Sequence, residues 1–164
     1  MSAPTLILGV DPGSHVTGYG IVLKDGNRFD YVDSGTIRPK GESPEKRYYE
    51  IFDGLEKIIL SHNIHVASVE SQFYLQNAQT LMKLSIARAC VLIACGKNDI
   101  PVFEYAPRKA KIAVSGNGAA TKEQVQKMIK LHLRQPNLTV ALDASDALAL
   151  ALCHAYNIKP IQVR

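Results

Sequence analysis

Apolar residues recur along this chain with two different periods, and the changes of period divide it into elements. Leu6 to Val10 is a continuous apolar run of the kind a buried central strand shows, and Val16 to Leu23 and Phe29 to Ile37 follow as two more strands. "KDGN" between the second and third is hairpin-turn vocabulary, and connections this short predict an antiparallel meander. The period then changes. In "SPEKRYYEIFDGLEKIILSHN", Tyr48, Phe52, Leu55 and Ile59 recur at helical spacing, with Ser43 as N-cap and Pro44 at the first helical position. "HVASVES" alternates into a fourth strand ending at Glu70, "NAQTLMKLSIARACVLIACG" reads as a long second helix, and "PVFEYAP" as a fifth strand. Strand and helix now alternate, so the added strands are expected to be parallel. Thr121 and Gln124 form a capping box opening a helix that runs to about Leu133, and a final helix occupies roughly Ala141 to Tyr156. No repeat, linker or low-complexity tract interrupts this order. The prediction is one α/β domain over residues 1–164, a mixed five-stranded sheet flanked by helices.

Composition adds little to that picture but excludes some classes. With 46% apolar residues the chain can bury a core, no apolar run reads as a bilayer span, and "MSAPTLILGV" has neither a basic leader nor a cleavage-like site. A cytoplasmic protein is expected, without a membrane partner. Cys90, Cys95 and Cys153 fall in helical stretches and form no C-x-x-C pair, so they read as core thiols. The formal charge of +4, from 19 basic and 15 acidic residues, tilts modestly toward a polyanionic partner.

The acids change the picture more. Asp11 ends an apolar strand immediately before Pro12 and Gly13, where turn chemistry alone would also accept an aspartate. Glu70 ends the fourth strand in the same way, and both strands belong near the sheet centre. Asp143 and Asp146 stand three apart, on one face of the otherwise apolar "ALDASDALALALCH". Carboxylates in a first helical turn are common partners of the helix dipole, but a helix this apolar must pack closely on the sheet. Four acids would then share one small volume. Such a group raises its members' pKa values unless cations neutralise it, and an all-oxygen donor set suits hard divalent ions. Magnesium is expected, two ions per site, in the arrangement that serves in-line phosphoryl displacement.

Basic and aromatic residues lie nearby in the chain. "RKAKIAVSGNGAATKEQVQKMIK" concentrates Arg108, Lys109, Lys111, Lys122, Lys127 and Lys130 around a glycine-containing loop that opens a helix, suited either to phosphates or to plain solvation. No strand runs directly into "GNG" and no G-K-[ST] follows, so a nucleotide loop is not indicated. Phe73 and Tyr74 follow Glu70 and fit either base stacking or core packing. His62 and His65 read as surface residues rather than metal ligands.

The blocks "GVDPGSHVTGYG", "VESQFYLQNAQTLMKLSIARACVL", "VFEYAPRKAKIAVSGNGAATKEQV" and "LDASDALALALCH" resemble, in order and over nearly the whole chain, the RuvC-type Holliday-junction resolvases. The resemblance implies an RNase H-like fold and a homodimer that uses magnesium, or manganese in its place, to nick two opposed strands of a four-way DNA junction. It assigns the catalytic, metal-binding acids to Asp11, Glu70, Asp143 and Asp146. It sets Phe73 against junction bases, and Lys111 and Lys122 at the backbone near the cut, with Lys122 assisting the chemistry and Arg108 in the same basic region. It also implies the RuvA–RuvB branch-migration complex as a partner. The second helix carries a broad stripe of apolar and small residues, and the resemblance makes it the dimer interface through Leu81, Leu84, Ala87 and Val91.

Other functions leave residues idle. Asp-Pro-Gly with Gly18 and Gly20 is also found in the phosphate loops of actin-like phosphotransferases, but one domain of 164 residues has no second loop and no duty for the last acid pair. A non-catalytic junction binder has no use for four acids that repel phosphate. An RNase H-like nuclease of other branched DNA or of RNA shares every feature named and stands as the alternative.

Overall fold

The computed structural model describes residues 3–71 and 77–158. Three strands come first: β1 Thr5–Asp11, β2 Thr17–Asp25 and β3 Arg28–Ile37. They form the expected antiparallel meander, in which Gly9 faces Gly20, Asp11 faces Gly18, and the turn between Asp25 and Arg28 is made by Gly26, at φ 56°, and Asn27. Helix α1, Pro44–His62, leads to β4, Val66–Glu70, which lies parallel to β1 with Val10 opposite Val69. Helix α2, Ala78–Lys97, then leads to β5, Val102–Tyr105, parallel to β4. The sheet order β3-β2-β1-β4-β5 places β1 and β4 at the centre, as their apolar runs require.

Three helices follow where two were expected. Besides α4, Lys122–His132, and α5, Leu142–Asn157, the basic stretch after β5 folds into α3, Pro107–Ser115. Its start and stop signals are ordinary ones: Pro107 sits at the first helical position and Gly116 closes the end at φ 75°. The capping box of α4 forms as read, with Thr121 Oγ1 accepting from the Gln124 amide at 3.2 Å and Gln124 Oε1 accepting from the Thr121 amide at 2.9 Å. Ser43 stands at the N-cap position of α1, yet its hydroxyl makes no capping bond.

Strand alternation sorts the core into two layers. Leu8, Val10, Ile21, Ala67 and Val69 pack against α1 and α2, while Ile7, Val22 and Val66 pack under α4 and α5. All three cysteines are free and buried, as expected. Among the described residues α2 is the one helix whose length and apolar character would suffice to cross a membrane, against the expectation that no run would. Its inner face is nevertheless part of the core, Lys97 pairs with Glu56 of α1 at 2.7 Å, and Arg88 pairs with Glu104 of β5. The apolar stripe of α2 is turned inward: Ala87 and Val91 are 0% and 1% exposed within this one chain, which corrects their assignment to a dimer interface. The large apolar residues α2 shows to solvent are Met82, Ile86, Leu92 and Ile93, with Leu81 and Leu84 half-buried between the two faces.

Near the β5 edge, buried His154 shares a 2.6 Å hydrogen bond through Nδ1 with the Tyr105 hydroxyl and stacks on Phe103. Burial first, and the Lys24 ammonium second, push its pKa down to about 4. The folded chain therefore takes up this proton near pH 4 and the unfolded chain near 6.5, so the stability due to neutral His154 is complete above pH 6.5 and lost as the pH falls toward 4. The expected loss is about 3 kcal/mol. Denaturant unfolding at pH 7 and pH 4.5 checks this: His154→Gln should weaken the protein at pH 7 and flatten the difference between the two pH values. An equally steep dependence in the variant would place the acid sensitivity elsewhere.

Candidate active site

Because β1 and β4 are parallel neighbours in register at Val10 and Val69, the next residue on each strand, Asp11 and Glu70, emerges at the same carboxyl edge of the sheet. Alternation points Asp11 toward the face covered by α5. That helix lies unusually low on the sheet because the strand positions beneath it are glycines. A Cβ at Gly9 would overlap the Ala147 carbonyl and stand 2.8 Å from the Ala151 nitrogen, and one at Gly18 would overlap the Asp143 carbonyl and stand 3.0 Å from the Ala144 nitrogen. One at Gly20 would stand 2.6 Å from Leu148 Cγ. The glycine track thus lets the α5 backbone rest directly on β1 and β2, which lowers its first turn, with Asp143 and Asp146, onto the strand ends. The N-cap of α5 is Ala141 without a side-chain bond, so neither aspartate is used to close the helix.

The electrostatics record the convergence. The Asp11 carboxyl is pushed up to about 7, by burial first and then by Glu70, Asp146 and Asp143, with Lys122 opposing. Glu70 is also raised, by burial and by Asp146, against Lys122 and Lys111. Lys122, the first residue of α4, sets Nζ 3.3 Å from Asp146 Oδ2, and its own pKa is raised by Asp146, then more weakly by Asp11 and Asp143. A cleft of about 300 Å³ opens over these groups, lined by Asp11, Glu70, Lys111, Lys122 and Asp146 and floored by Ala149 and Leu150. Asp143 borders this group through its charge rather than lining the cleft.

Among the described residues no three acids are drawn into a ready-made ligand cluster; the nearest cation to Asp146 is the Lys122 ammonium. The donor chemistry still fits a divalent metal. The acids offer only oxygen, and a carboxyl held near neutrality by burial and like charge is one that a cation would ionise at little cost.

The other residues singled out from the sequence fall into place unevenly. Lys111 reaches the cleft because α3 carries it there. Arg108, one turn earlier on the same helix, does not: its side chain lies across Gly118, where a Cβ would stand 2.7 Å from Arg108 Cγ, and it braces the loop leading to α4. Phe73 and Tyr74 lie outside the described residues. His62 Nε2 pairs with Asp33 at 3.3 Å and His65 Nδ1 accepts from the Leu6 amide at 3.0 Å, so both serve the scaffold. Sequence reading missed α3 as an element and the glycine track as a device. Pro107 and Gly116 signalled the first, whereas glycines inside strands give no periodic signal at all.

Carboxylates gathered at the edge of a sheet, with lysines beside them and no nucleotide loop, suit the cutting of phosphodiesters, and the meander-then-parallel sheet is of the RNase H-like kind. The class so defined is a metal-dependent nuclease of that fold. Comparison with known proteins gives the family. Residues 7–154 match the family described as crossover junction endodeoxyribonuclease RuvC. The protein of that name from Protochlamydia amoebophila is 45% identical over 156 residues, covering 94% of this chain and 93% of the relative, and that from Acinetobacter baumannii is 46% identical over 153 residues, covering 92% and 83%. The structure of Thermus thermophilus RuvC in complex with a Holliday junction substrate superposes with a TM-score of 0.86 at 28% identity, over 93% of this chain and 94% of that one. A yeast mitochondrial Holliday junction resolvase shares the fold at 11% identity, with a TM-score of 0.67. This chain belongs to the RuvC family of crossover junction endodeoxyribonucleases.

Proposed function

We propose that this chain, a nuclease by its family, acts as a homodimer that binds four-way junction DNA and nicks two opposed strands, with magnesium held by Asp11, Glu70, Asp143 and Asp146. The observation that carries the reading is the gathering of Asp11, Glu70 and Asp146 in one cleft beside Lys111 and Lys122, where burial first and the neighbouring acids second push the Asp11 carboxyl up to about 7, a state that a bound cation would relieve. Bound there, the metal supplies Lewis-acid stabilisation of charge on the phosphate and a more acidic water. Manganese has the same oxygen preference and substitutes in this reading. The chain's own residues do the remainder. Asp11 and Glu70 present their oxygens from rigid strand ends, Asp143 and Asp146 from a helix seated on glycine, and Lys111 and Lys122 bring positive charge to the phosphate from the other wall of the cleft. Lys122 exchanges its bond to Asp146 for one to the phosphate when substrate and metal arrive. Phe73 stacks on a junction base, and the enzyme works in the cytoplasm on junctions delivered by the RuvA–RuvB complex.

The outward face of α2 supports the dimer. Met82, Ile86 and Ile93 are 65%, 44% and 61% exposed and repeat at helical spacing, so the same helix of a second copy would bury them about a twofold axis. Ile86→Glu with Ile93→Glu should leave the monomer folded, because both side chains are exposed, but halve the mass seen by light scattering and abolish paired nicking. A double variant of unchanged mass would remove α2 from the interface.

The test of function is incubation of labelled four-way junction, linear duplex and RNA–DNA hybrid with and without magnesium. Symmetric nicks confined to the junction and dependent on the metal are expected. Equal cutting of the hybrid or the duplex would favour the broader RNase H-like nuclease.

A further inference from the structure

A second basic pocket opens at the same edge of the sheet but on the other face. Ser14 and His15 follow Asp11 in the connection from β1 to β2, and the pairing of Thr17 with Ile37 brings the end of β3, and with it the start of α1, to that edge. Lys83 lies in the second turn of α2, which also starts there, and the Tyr48 hydroxyl ties α1 to α2 through the Lys83 carbonyl at 3.4 Å. Ser14, His15, Arg47, Tyr48 and Lys83, together with Glu42 and Pro44, line a pocket of about 210 Å³.

Its chemistry is that of an anion seat. Arg47 is aimed rather than loose: Nε donates to the Gly41 carbonyl at 2.8 Å, which fixes the guanidinium and brings Nη1 to 3.5 Å from His15 Nδ1. Among the described residues Arg28, Lys57, Arg88, Lys97 and Lys122 are in ion pairs, and neither Arg47 nor Lys83 is. Two cations outside any of these ion pairs, the Ser14 hydroxyl and the His15 imidazole therefore converge, against the single carboxylate of Glu42, on a space smaller than the roughly 300–1,000 Å³ of small-molecule sites, which suits a phosphate group and not a whole nucleotide.

We propose that the pocket formed by Ser14, His15, Arg47 and Lys83 seats a second backbone phosphate of the DNA, across the sheet edge from the cleft that holds the scissile one. The inference rests on the reading of the chain as a DNA junction nuclease. A strand passing over the carboxyl edge would meet Lys111 and Lys122 on one side and Arg47 and Lys83 on the other, so this pocket sets where the duplex lies while taking no part in the chemistry.

Lys83→Ala is the cleanest test, since Lys83 is exposed and alanine favours the helix. Binding of a fluorescent four-way junction should weaken about tenfold, as for one charged hydrogen bond. The slope of log K against log salt should fall by about 0.9. Single-turnover cleavage of the saturated complex should keep the wild-type rate. Arg47→Gln should behave in the same way, and Arg47→Lys should restore part of the slope. An unchanged salt slope in both Lys83→Ala and Arg47→Gln overturns the proposal, and so does a slow rate in the saturated complex. The slopes are measured on linear duplex as well. If the wild type shows no preference for the junction, the functional reading fails, while the duplex slopes still decide the phosphate seat.

Discussion

Asp11→Asn should reduce cleavage of the bound junction on the order of 10³-fold, more than the 10–100-fold typical of losing a residue that only orients a metal ligand. Asparagine keeps the size of the side chain and one oxygen, so the strand end should keep its shape; what disappears is a charge at the most crowded point of the cleft. The same substitution should stabilise the metal-free protein. With its folded pKa at about 7 against 3.8 when unfolded, Asp11 favours the fold fully only below about pH 4, and that contribution is lost as the pH rises through 7. At pH 8 the ionised carboxylate works against the fold, and its removal should raise stability by about 2 kcal/mol. Magnesium should then stabilise the wild type and have little effect on Asp11→Asn. Thermal unfolding at pH 8 with and without the metal, beside single-turnover cleavage, reads both effects. A variant that cuts at the wild-type rate would remove Asp11 from the chemistry, and one that is less stable than the wild type in the absence of metal would contradict the crowding of charge.

Gly18→Ala should also cost much of the activity, although glycine has no chemistry. A Cβ there would overlap the Asp143 carbonyl and stand 3.0 Å from the Ala144 nitrogen, and both are backbone atoms that cannot rotate away. The first turn of α5 would have to lift, at the upper end of the 1–3 kcal/mol that overpacking costs. Asp143 and Asp146 would lift with it, and a displacement of about 1 Å can cost on the order of 10² in rate. Gly96→Ala is the control: a Cβ on that helical glycine meets nothing within 4 Å, so it should be neutral or slightly stabilising and fully active. Melting temperature and single-turnover rate of the two variants separate the cases. Wild-type behaviour of Gly18→Ala would mean that α5 is not seated on this track.

What could be read from residues alone was whatever depends on neighbours in the chain. The run Leu6–Val10, the Gly26–Asn27 turn, the helical repeat of Tyr48, Phe52, Leu55 and Ile59, and the Thr121–Gln124 box are local patterns, and each appears in the structure as its pattern requires. The ends of β1 and β4 on acids, and the i, i+3 spacing of Asp143 and Asp146, were legible for the same reason. Helix α2 marks the limit. Both its faces are apolar, so periodicity identifies a helix without saying which stripe is buried, and Ala87 and Val91 turned inward while Met82, Ile86 and Ile93 turned out.

Local sequence determined the type and order of the elements and put the carboxylates at their ends. Tertiary structure alone decided that these ends would meet. The approach of α5 to Gly9, Gly18 and Gly20 joins residues more than a hundred positions apart, and it depends on the absence of side chains, which no hydrophobic pattern can register. The pairing of Lys122 with Asp146, the delivery of Lys111 by α3, and the grouping of His15, Arg47 and Lys83 are likewise properties of how separate elements pack. Charge and donor chemistry are written one residue at a time, but the field that pushes Asp11 to about 7 exists only once burial and three other acids surround it.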